Sequence, residues 1–244
     1  MTLHALPINF PFNGATITLY PALLRSDTDL FLIDCGYAGS LPLLEAAAGV
    51  HGLSLVQLTG IIISHHDIDH VGGLFEMKSK YPQLPVYASS IEAKYISGAE
   101  KWLRLVQAEA LYPSLPEAYQ SGALQFQQML EAVQTVPVDY TFLEYDMPII
   151  WKDFQILYTP GHTPGHISIY LPAAKTLIAA DAVVFENGIL DIANPDFCMD
   201  LPQAIASVQS LQMLDIERIL CYHGGMVEHE IPQLLQALVQ RYQP

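Results

Sequence analysis

The segment that decides the fold is Ser64-His65-His66-Asp67-Ile68-Asp69-His70-Val71-Gly72-Gly73, which directly follows the β-forming run Gly60-Ile61-Ile62-Ile63. Its potential metal ligands, within six positions, are His65, Asp67, Asp69 and His70. A cluster of this kind at the end of a buried strand is informative, because each buried polar group must be hydrogen-bonded, paired or metal-bound to offset its desolvation. A single histidine would indicate a polar loop, whereas four ligand-type residues predict a metal site.

The composition narrows the classes of partner. The chain has 244 residues, of which 51% are hydrophobic, and a formal net charge of −15 with only 10 lysines and arginines. This length is sufficient for one large domain with a sizeable core. Nucleic acids and anionic membranes are disfavoured partners, because binding them by counterion release needs basic patches. We therefore expect a small-molecule substrate, no nucleic acid and no membrane.

The sequence also predicts a compartment. It has no apolar run long enough to span a membrane, and residues 1–13 lack a basic segment followed by an apolar one. The cysteines Cys35, Cys198 and Cys221 are odd in number and widely spaced, which does not indicate a disulfide framework. We therefore expect a cytoplasmic protein without a signal peptide or anchor.

Alternating strand and helix patterns indicate an α/β chain. In the first half, the pattern predicts strands over 15–20, 23–25, 30–34, 60–63 and 85–88, and helices over 41–50 and 71–80. In the second half, it predicts strands over 149–151, 154–158, 167–171, 176–180 and 218–222, a loop over 186–199, and helices after Asp200 and over 226–242. Because no linker separates the halves, we predict a single domain over residues 1–244.

Residues 91–136 depart from this alternation and form a mainly helical insert. Its apolar residues share helical faces, one of which carries Trp102, Leu105, Val106 and Ala110. This pattern predicts core packing against the sheet. The alternative is a cap that lines a substrate pocket with Tyr95, Trp102, Tyr112, Tyr119 and Phe126. The apolar content of the insert is also compatible with a homodimer.

Several ligand-type residues lie just past predicted apolar strands. The His65–His70 cluster, His162, Asp181 and His223 share this position. In layered α/β folds ligands gather beyond the carboxyl ends of strands, so these residues are expected to converge on one rim. Histidine and aspartate suit a borderline transition metal, and one carboxylate such as Asp181 can bridge two ions. Asp34, which also ends a strand, either caps a turn or supports a histidine ligand, and the sequence leaves both roles open.

Together these segments resemble the metallo-β-lactamase superfamily. Asp34-Cys35-Gly36, the His65–Gly73 loop, Thr159–His166, Asp181 and His223-Gly224-Gly225 occur in the family's order over nearly the whole chain. The resemblance implies the α/β (α+β) class and a four-layer αββα sandwich with its site at one edge. Carried over by position, it implies a first metal held by His65, Asp67 and His162. It implies a second metal held by Asp69, His70 and His223, with Asp181 bridging the two.

One position departs from the family pattern His-x-His-x-Asp-His, because the second histidine is Asp67 here. A loop shift that lets His66 bind instead is the less favoured alternative. A carboxylate makes the first site harder and more anionic, which shifts its preference from zinc alone toward iron, manganese or cobalt. We expect two divalent metal ions, zinc first among them; alternatively, only the second site holds its metal firmly. His166 is expected to support the site rather than to bind a metal.

The resemblance implies a metal-dependent hydrolase in which a metal-bridging hydroxide attacks a small ester, lactone or thioester. Asp69 would orient that hydroxide and accept or return a proton. Lactonases of the family often place a tyrosine three residues after the bridging aspartate, where this chain has Val184. The subclass therefore stays open, and a phosphodiesterase is a further alternative.

A non-haem iron oxidoreductase, similar to flavodiiron proteins or persulfide dioxygenases, is the competing class. Flavodiiron proteins have a carboxylate at the position of Asp67. A third hypothesis is a protein that binds metal without catalysis. The complete ligand set argues against it, because a degenerate site would be expected to lose ligands.

Overall fold

The computed structural model of the chain describes residues 1–12, 14–143, 149–151 and 153–242. Its strands are β1 (Thr2–Ala5), β2 (Ile8–Phe12), β3 (Ala15–Leu19), β4 (Ala22–Arg25), β5 (Leu30–Ile33), β6 (Gly60–Ile62), β7 (Val86–Ser89), β8 (Tyr140–Phe142), β9 (Ile149–Trp151), β10 (Phe154–Tyr158), β11 (Ile167–Leu171), β12 (Thr176–Ala180), β13 (Val184–Glu186), β14 (Ile189–Asp191), β15 (Arg218–Cys221) and β16 (Gly225–Val227). Its helices are α1 (Leu41–Val50), α2 (Ile68–Val71), α3 (Leu74–Lys80), α4 (Ser90–Ile96), α5 (Leu103–Leu111), α6 (Glu117–Glu131), α7 (Leu201–Leu211) and α8 (Ile231–Arg241). Short 3₁₀ turns lie at Leu55–Gln57, Tyr112–Ser114, Pro172–Ala174 and Pro195–Phe197.

Two mixed sheets of six strands each form the centre of the molecule. The strand order is β1-β4-β5-β6-β7-β8 in the first sheet and β16-β15-β12-β11-β10-β9 in the second. Strands β5 to β8 run parallel to one another, as do β12 and β15, and the remaining neighbours in these sheets are antiparallel. Two further antiparallel pairs, β2 with β3 and β13 with β14, lie outside them.

Three apolar cores hold four layers together. Side chains of both sheets, including Phe31, Ile62, Phe154 and Leu220, form the inner core. The outer face of the first sheet packs against α1, α3 and the helices of the insert. The outer face of the second sheet packs against α7 and α8. This arrangement is the predicted αββα sandwich of α/β class, which is confirmed. The single-domain organisation stays a prediction.

The local patterns were correct for most of the regular elements. The hairpin of β4 and β5, helix α1, and strands β10, β11 and β12 lie where the sequence predicted them. The Asp200 carboxylate accepts a hydrogen bond from the Gln203 amide at 3.0 Å, as expected of the residue that caps the N-terminus of α7. The predicted turn at residues 152–153 includes Lys152, which lies outside the described residues, as does Asn13.

Some element boundaries were wrong. The loop predicted over 186–199 begins inside the hairpin of β13 and β14, whose turn residues Asn187 and Gly188 have φ of 53° and 79°. The helix predicted over 71–80 is two helices, α2 and α3, separated at Gly72-Gly73. The strand over 218–222 is not the last, because β16 follows it and α8 begins only at Ile231.

The insert is more exposed than its pattern suggested. Trp102 and Leu105 are buried as predicted, but Val106 is 44% exposed and Ala110 is exposed too. Helix α6 buries only Leu130 among its described side chains. None of the helices in the described part of the chain is both long and apolar enough to cross a membrane.

Candidate metal centre

The structure brings the predicted ligands together at one edge of the sandwich. They lie on the segments that follow strands β6, β10, β12 and β15, with Asp69 and His70 in the short helix α2. Their ligand atoms form three groups, within each of which all atoms lie within 4.8 Å of one another: His65, Asp67 and His162; His65, His70 and Asp181; and Asp69, His70 and His223. The first and third groups are the two ligand sets that the family resemblance implies for separate ions.

The distances within the groups scatter around those of ligands that share one ion, because two of the pairs lie at hydrogen-bond distance. Asp67 Oδ2 lies 3.0 Å from His162 Nε2 and 3.6 Å from His65 Nε2. Asp69 Oδ2 lies 3.1 Å from His223 Nε2 and 3.9 Å from His70 Nε2. Four ligands at about 2.0–2.2 Å from a zinc ion lie about 3.3–3.6 Å apart in tetrahedral geometry.

Asp181 lies between the two predicted sets. Its Oδ1 atom is 3.3 Å from His70 Nε2 and 3.6 Å from His223 Nε2. Its Oδ2 atom is 3.5 Å from His162 Nε2. One oxygen of the carboxylate therefore faces each set, which is the geometry of a bridging ligand.

Buried ligand atoms without a hydrogen bond point to a cation at this place. The Nε2 atoms of His65 and His70 and the Oδ1 atom of Asp181 are buried and make no hydrogen bond with any residue that the structure describes. Leaving such atoms unpaired is unfavourable. A metal ion would satisfy all three, so these residues fit the divalent metals that members of the fold family bind.

Close backbone contact fixes the loop after β6. The amide of Cys35 donates to the His70 carbonyl at 2.7 Å, and the amide of Gly73 donates to the Gly36 carbonyl at 2.9 Å. A Cβ atom on Gly73 would lie 2.4 Å from the Cys35 carbonyl oxygen, and one on Gly72 would lie 2.8 Å from the Ala38 amide nitrogen. The two glycines are therefore needed for this close approach.

Asp34 supports a predicted ligand. Its carboxylate accepts hydrogen bonds from the amide and hydroxyl of Ser64 at 2.8 and 2.7 Å, and lies 2.8 Å from His70 Nδ1. A hydrogen bond at Nδ1 leaves Nε2 of His70 free to bind a metal. Of the two roles that the sequence left open for Asp34, support of a histidine ligand is therefore the one that the structure shows.

His166 supports Asp181 from behind. Its Nε2 atom accepts the Asp181 amide at 3.1 Å, and its Nδ1 atom lies 2.8 Å from Thr159 Oγ1. Burial, reinforced by the positive charge of His162, lowers its pKa to about 3, so its ring is neutral. The residue before Asp181, Ala180, has a φ of 47° at a register shift between β12 and β15.

The side chain of His66 lies outside the cluster of predicted ligands. Among the described residues it belongs to none of the three groups. Its ring packs against Tyr95 and Trp102, with centroids 4.6 and 5.9 Å away, and its Nδ1 atom pairs closely with Glu92. The structure therefore gives no support to His66 as a replacement for Asp67. The rings of Tyr95 and Trp102, which the alternative prediction placed in a substrate pocket, pack against His66 instead.

Two buried charged residues of the insert contact the segments that carry the predicted ligands, and the sequence pattern missed both. Glu92 accepts hydrogen bonds from Thr163 Oγ1 at 2.7 Å and from the Gly165 amide at 2.8 Å, and so ties the loop after β10 to α4. Arg104 donates from Nη2 to Asp67 Oδ2 at 2.5 Å and from Nε to Asp67 Oδ1 at 3.2 Å.

The charges within the metal-free site balance one another. Burial by itself would raise the pKa of Asp67, but Arg104 and then His162 outweigh it and hold that pKa well below its usual value. Burial would lower the pKa of His162 and His223, but neighbouring carboxylates raise both to about 10. Without a metal, protons on these rings therefore supply the positive charge that the carboxylates need.

The family model of the metallo-β-lactamase superfamily matches residues 21–223. The chain belongs to this superfamily. The probable metallo-hydrolase YflN of Bacillus subtilis (strain 168) is 28% identical over 229 residues, which cover 87% of this chain and 83% of that protein. A hydroxyacylglutathione hydrolase of Xylella fastidiosa (strain M23) is 27% identical over 203 residues, which cover 82% of this chain and 57% of that protein. The crystal structure of the metallo-β-lactamase family protein TTHA1429 from Thermus thermophilus matches with a TM-score of 0.67 and 21% identity, covering 99% of this chain and 79% of that one.

Membership of the metallo-β-lactamase superfamily makes this chain a homologue of metal-dependent hydrolases whose subclass stays open. No simple sequence signal could have found Glu92 or Arg104, because each lies in a helix far along the chain from the residue that it contacts. The site opens into a cavity of about 270 Å³. Among the residues that line it are Tyr37, Asp69, Phe126, His162, Asp181 and Phe197.

Proposed function

We propose that the chain is a dinuclear metal-dependent hydrolase that acts on a small ester, lactone or thioester. The position of Asp181 carries this proposal. Its two carboxylate oxygens face the two ligand sets separately, at 3.3 Å from His70 Nε2 and 3.5 Å from His162 Nε2. A structural site for one metal would need only a single closed set of ligands.

The donor atoms suit the proposed ions. His65, Asp67 and His162 would hold one, and Asp69, His70 and His223 the other. Four imidazoles and three carboxylates form a mixed set that suits zinc, and also iron, manganese or cobalt. Zinc is our first choice because Arg104 partly neutralises the carboxylate of Asp67, which is the ligand that favours harder metals.

The chemistry proposed for the site needs no serine or cysteine nucleophile. The residues of the two ligand sets would hold two cations, whose charge would make a hydroxide available near neutral pH and stabilise the oxyanion on the substrate carbonyl. Asp69 is the proposed proton acceptor, since its carboxylate lines the cavity beside His223. The hydroxyl of Tyr222 donates to the Asp69 carbonyl at 2.6 Å and fixes the backbone at that point.

Asp67 supports a second candidate, a non-haem iron oxidoreductase, because a carboxylate in the first ligand set makes that site harder than a histidine would. A phosphodiesterase has less support. Among the described residues that line the cavity, Arg104 is the one arginine or lysine, and it is already paired with Asp67. A phosphate group would therefore have to rely on the metals alone.

The hydrolase is tested by assaying zinc-, manganese- and iron-loaded protein with a short ester, a lactone and a thioester. We expect His162→Ala and Asp69→Asn to lower kcat by about 10²–10⁴-fold. The matched controls His229→Ala and Asp27→Asn, away from the site, should keep the rate of the unmodified protein. Unchanged rates in the first two variants would contradict the proposal. Oxygen uptake by iron-loaded protein without hydrolysis would favour the oxidoreductase.

A further inference from the structure

A second cavity, of about 630 Å³, lies between α5 and α6 of the helical insert. We call it the insert groove. Its apolar lining residues include Ala108, Leu111, Leu115, Ala123 and Phe126. Its volume lies within the range of about 300–1,000 Å³ that is usual for small-molecule sites.

The groove follows from the helical spacing of its residues. Arg104, Ala108 and Leu111 lie at positions i, i+4 and i+7 of α5, so they share one face. Ala123 of α6 also lines the groove, and small side chains on both helices leave the space open. A hydrogen bond from Gln127 Nε2 to the Ala108 carbonyl at 3.0 Å holds the two helices in this arrangement.

The groove adjoins the metal cavity. Arg104, Phe126 and Phe197 line both cavities and so form the boundary between them. The Arg104 guanidinium lies 5.5 Å from the centre of the Phe197 ring. The reacting end of a molecule beside Asp181 would therefore lie next to the groove, with only these three side chains between them.

The chemistry of the lining selects an uncharged group. Arg104, the cation at the boundary, already donates to Asp67, to Gln107 Oε1 and to the Phe197 carbonyl. It therefore has little capacity left for an anionic substituent. The net charge of −15 also disfavours an anionic substituent in this position.

We propose that the insert groove binds a straight, apolar acyl chain of the substrate while its carbonyl lies in the metal cavity. This inference rests on the proposed hydrolase function and narrows its substrates to esters, lactones or thioesters with a medium-length chain. Each buried methylene adds apolar contact with the groove, so longer chains should be preferred until the groove is full. A substrate whose extension is peptide-like and charged does not suit this lining.

The first test is a series of p-nitrophenyl esters from acetate to decanoate, assayed with the zinc-loaded full chain. We expect kcat/KM to rise about two- to fourfold per added methylene. Ala123→Phe, which fills the groove, should lower the octanoate-to-acetate ratio of kcat/KM about tenfold or more. Ala118→Phe, at an exposed position of the same helix, is the matched control and should keep that ratio. An equal ratio in Ala123→Phe and the unmodified protein would overturn the inference.

A binding test separates this inference from the proposed function. The neutral apolar dye N-phenyl-1-naphthylamine is titrated into metal-free protein, where no hydrolysis occurs. We expect Ala123→Phe to weaken dye binding about fivefold or more and Ala118→Phe to leave it unchanged. Dye binding without any hydrolysis would contradict the hydrolase but support the groove. Gel filtration of the same variants is the last check, because a dimer that only Ala123→Phe disrupts would show that a second copy covers the groove and would overturn the inference.

Discussion

Arg104 and Asp67 form a buried two-point ion pair that joins the helical insert to the predicted metal site. The guanidinium contacts both carboxylate oxygens, at 2.5 Å from Nη2 and 3.2 Å from Nε. Asp67 stands where the superfamily pattern has a neutral histidine. The insert therefore supplies a positive charge at the place where this chain carries an additional negative one.

The ion pair predicts a large stability effect. Arg104→Met should lower the free energy of unfolding of the metal-free protein by about 3–5 kcal/mol, because the buried carboxylate of Asp67 loses its guanidinium partner and keeps only His162. Bound zinc should stabilise this variant more than the unmodified protein, since the ion takes over the role of the guanidinium. Urea denaturation with and without zinc measures both effects.

Arg241→Met is the matched control for that experiment. Arg241 pairs with Asp191 at the surface, where its side chain is 41% exposed, so its loss should cost less than about 1 kcal/mol. Equal decreases in the free energy of unfolding in the two variants would show that the buried Arg104 pair stabilises the fold no more than a surface ion pair does.

Glu92 is predicted to hold the two ligand loops to the insert. Glu92→Gln should lower the free energy of unfolding by about 2–4 kcal/mol, because one buried carboxylate accepts from His66, Thr163 and Gly165. Glu100→Gln, which alters an exposed ion pair with Lys94, should change it by less than about 1 kcal/mol. Thermal or urea unfolding checks this, and a Glu92→Gln variant as stable as the control would contradict it.

Asp34 is predicted to affect metal affinity through His70. Asp34→Asn should weaken zinc binding about 10–100-fold, because the carboxylate that orients the His70 ring is lost. Competition with a chelator of known affinity measures the change. Asp27→Asn, on the turn between β4 and β5, is the control, and equal affinities in the two variants would rule out this role for Asp34.

The stability of the metal-free protein should depend on pH through His162 and His223, whose pKa values rise from 6.5 to about 10 in the fold. A group whose pKa is raised by folding stabilises the fold fully at any pH below its pKa in the unfolded chain. That contribution is lost as the pH rises through its pKa in the folded protein. The Tm of protein treated with EDTA should therefore fall between pH 6.5 and 10. His223→Gln should reduce this fall and His229→Gln should not. A Tm that rises over the same interval would be inconsistent with these shifts.

The ligand residues were predictable because each follows an apolar strand, and strand ends meet at one edge of a layered sheet. Their convergence in space follows from that topology. The hairpin of β13 and β14 was also within reach, since Asn187-Gly188 between short apolar runs is a strong hairpin signal that the loop prediction overlooked.

The contribution of the insert was not predictable in the same way. Helical periodicity placed Trp102 and Leu105 in the core correctly, but it carries no information about a buried arginine on the same helix. The pairing of Arg104 with Asp67 depends on how the insert packs over the site, and that is a tertiary property. The same holds for Glu92, whose partners lie on two other loops.

Elemental analysis of the purified protein, before and after loading with zinc, manganese or iron, tests the dinuclear site most directly. We expect about two ions per chain in the loaded protein, and the loss of both in Asp181→Asn, because a single carboxylate faces the two ligand sets. Asp27→Asn should keep the full content. At most one ion per chain with every metal, or two ions retained in Asp181→Asn, would contradict a dinuclear site bridged by Asp181.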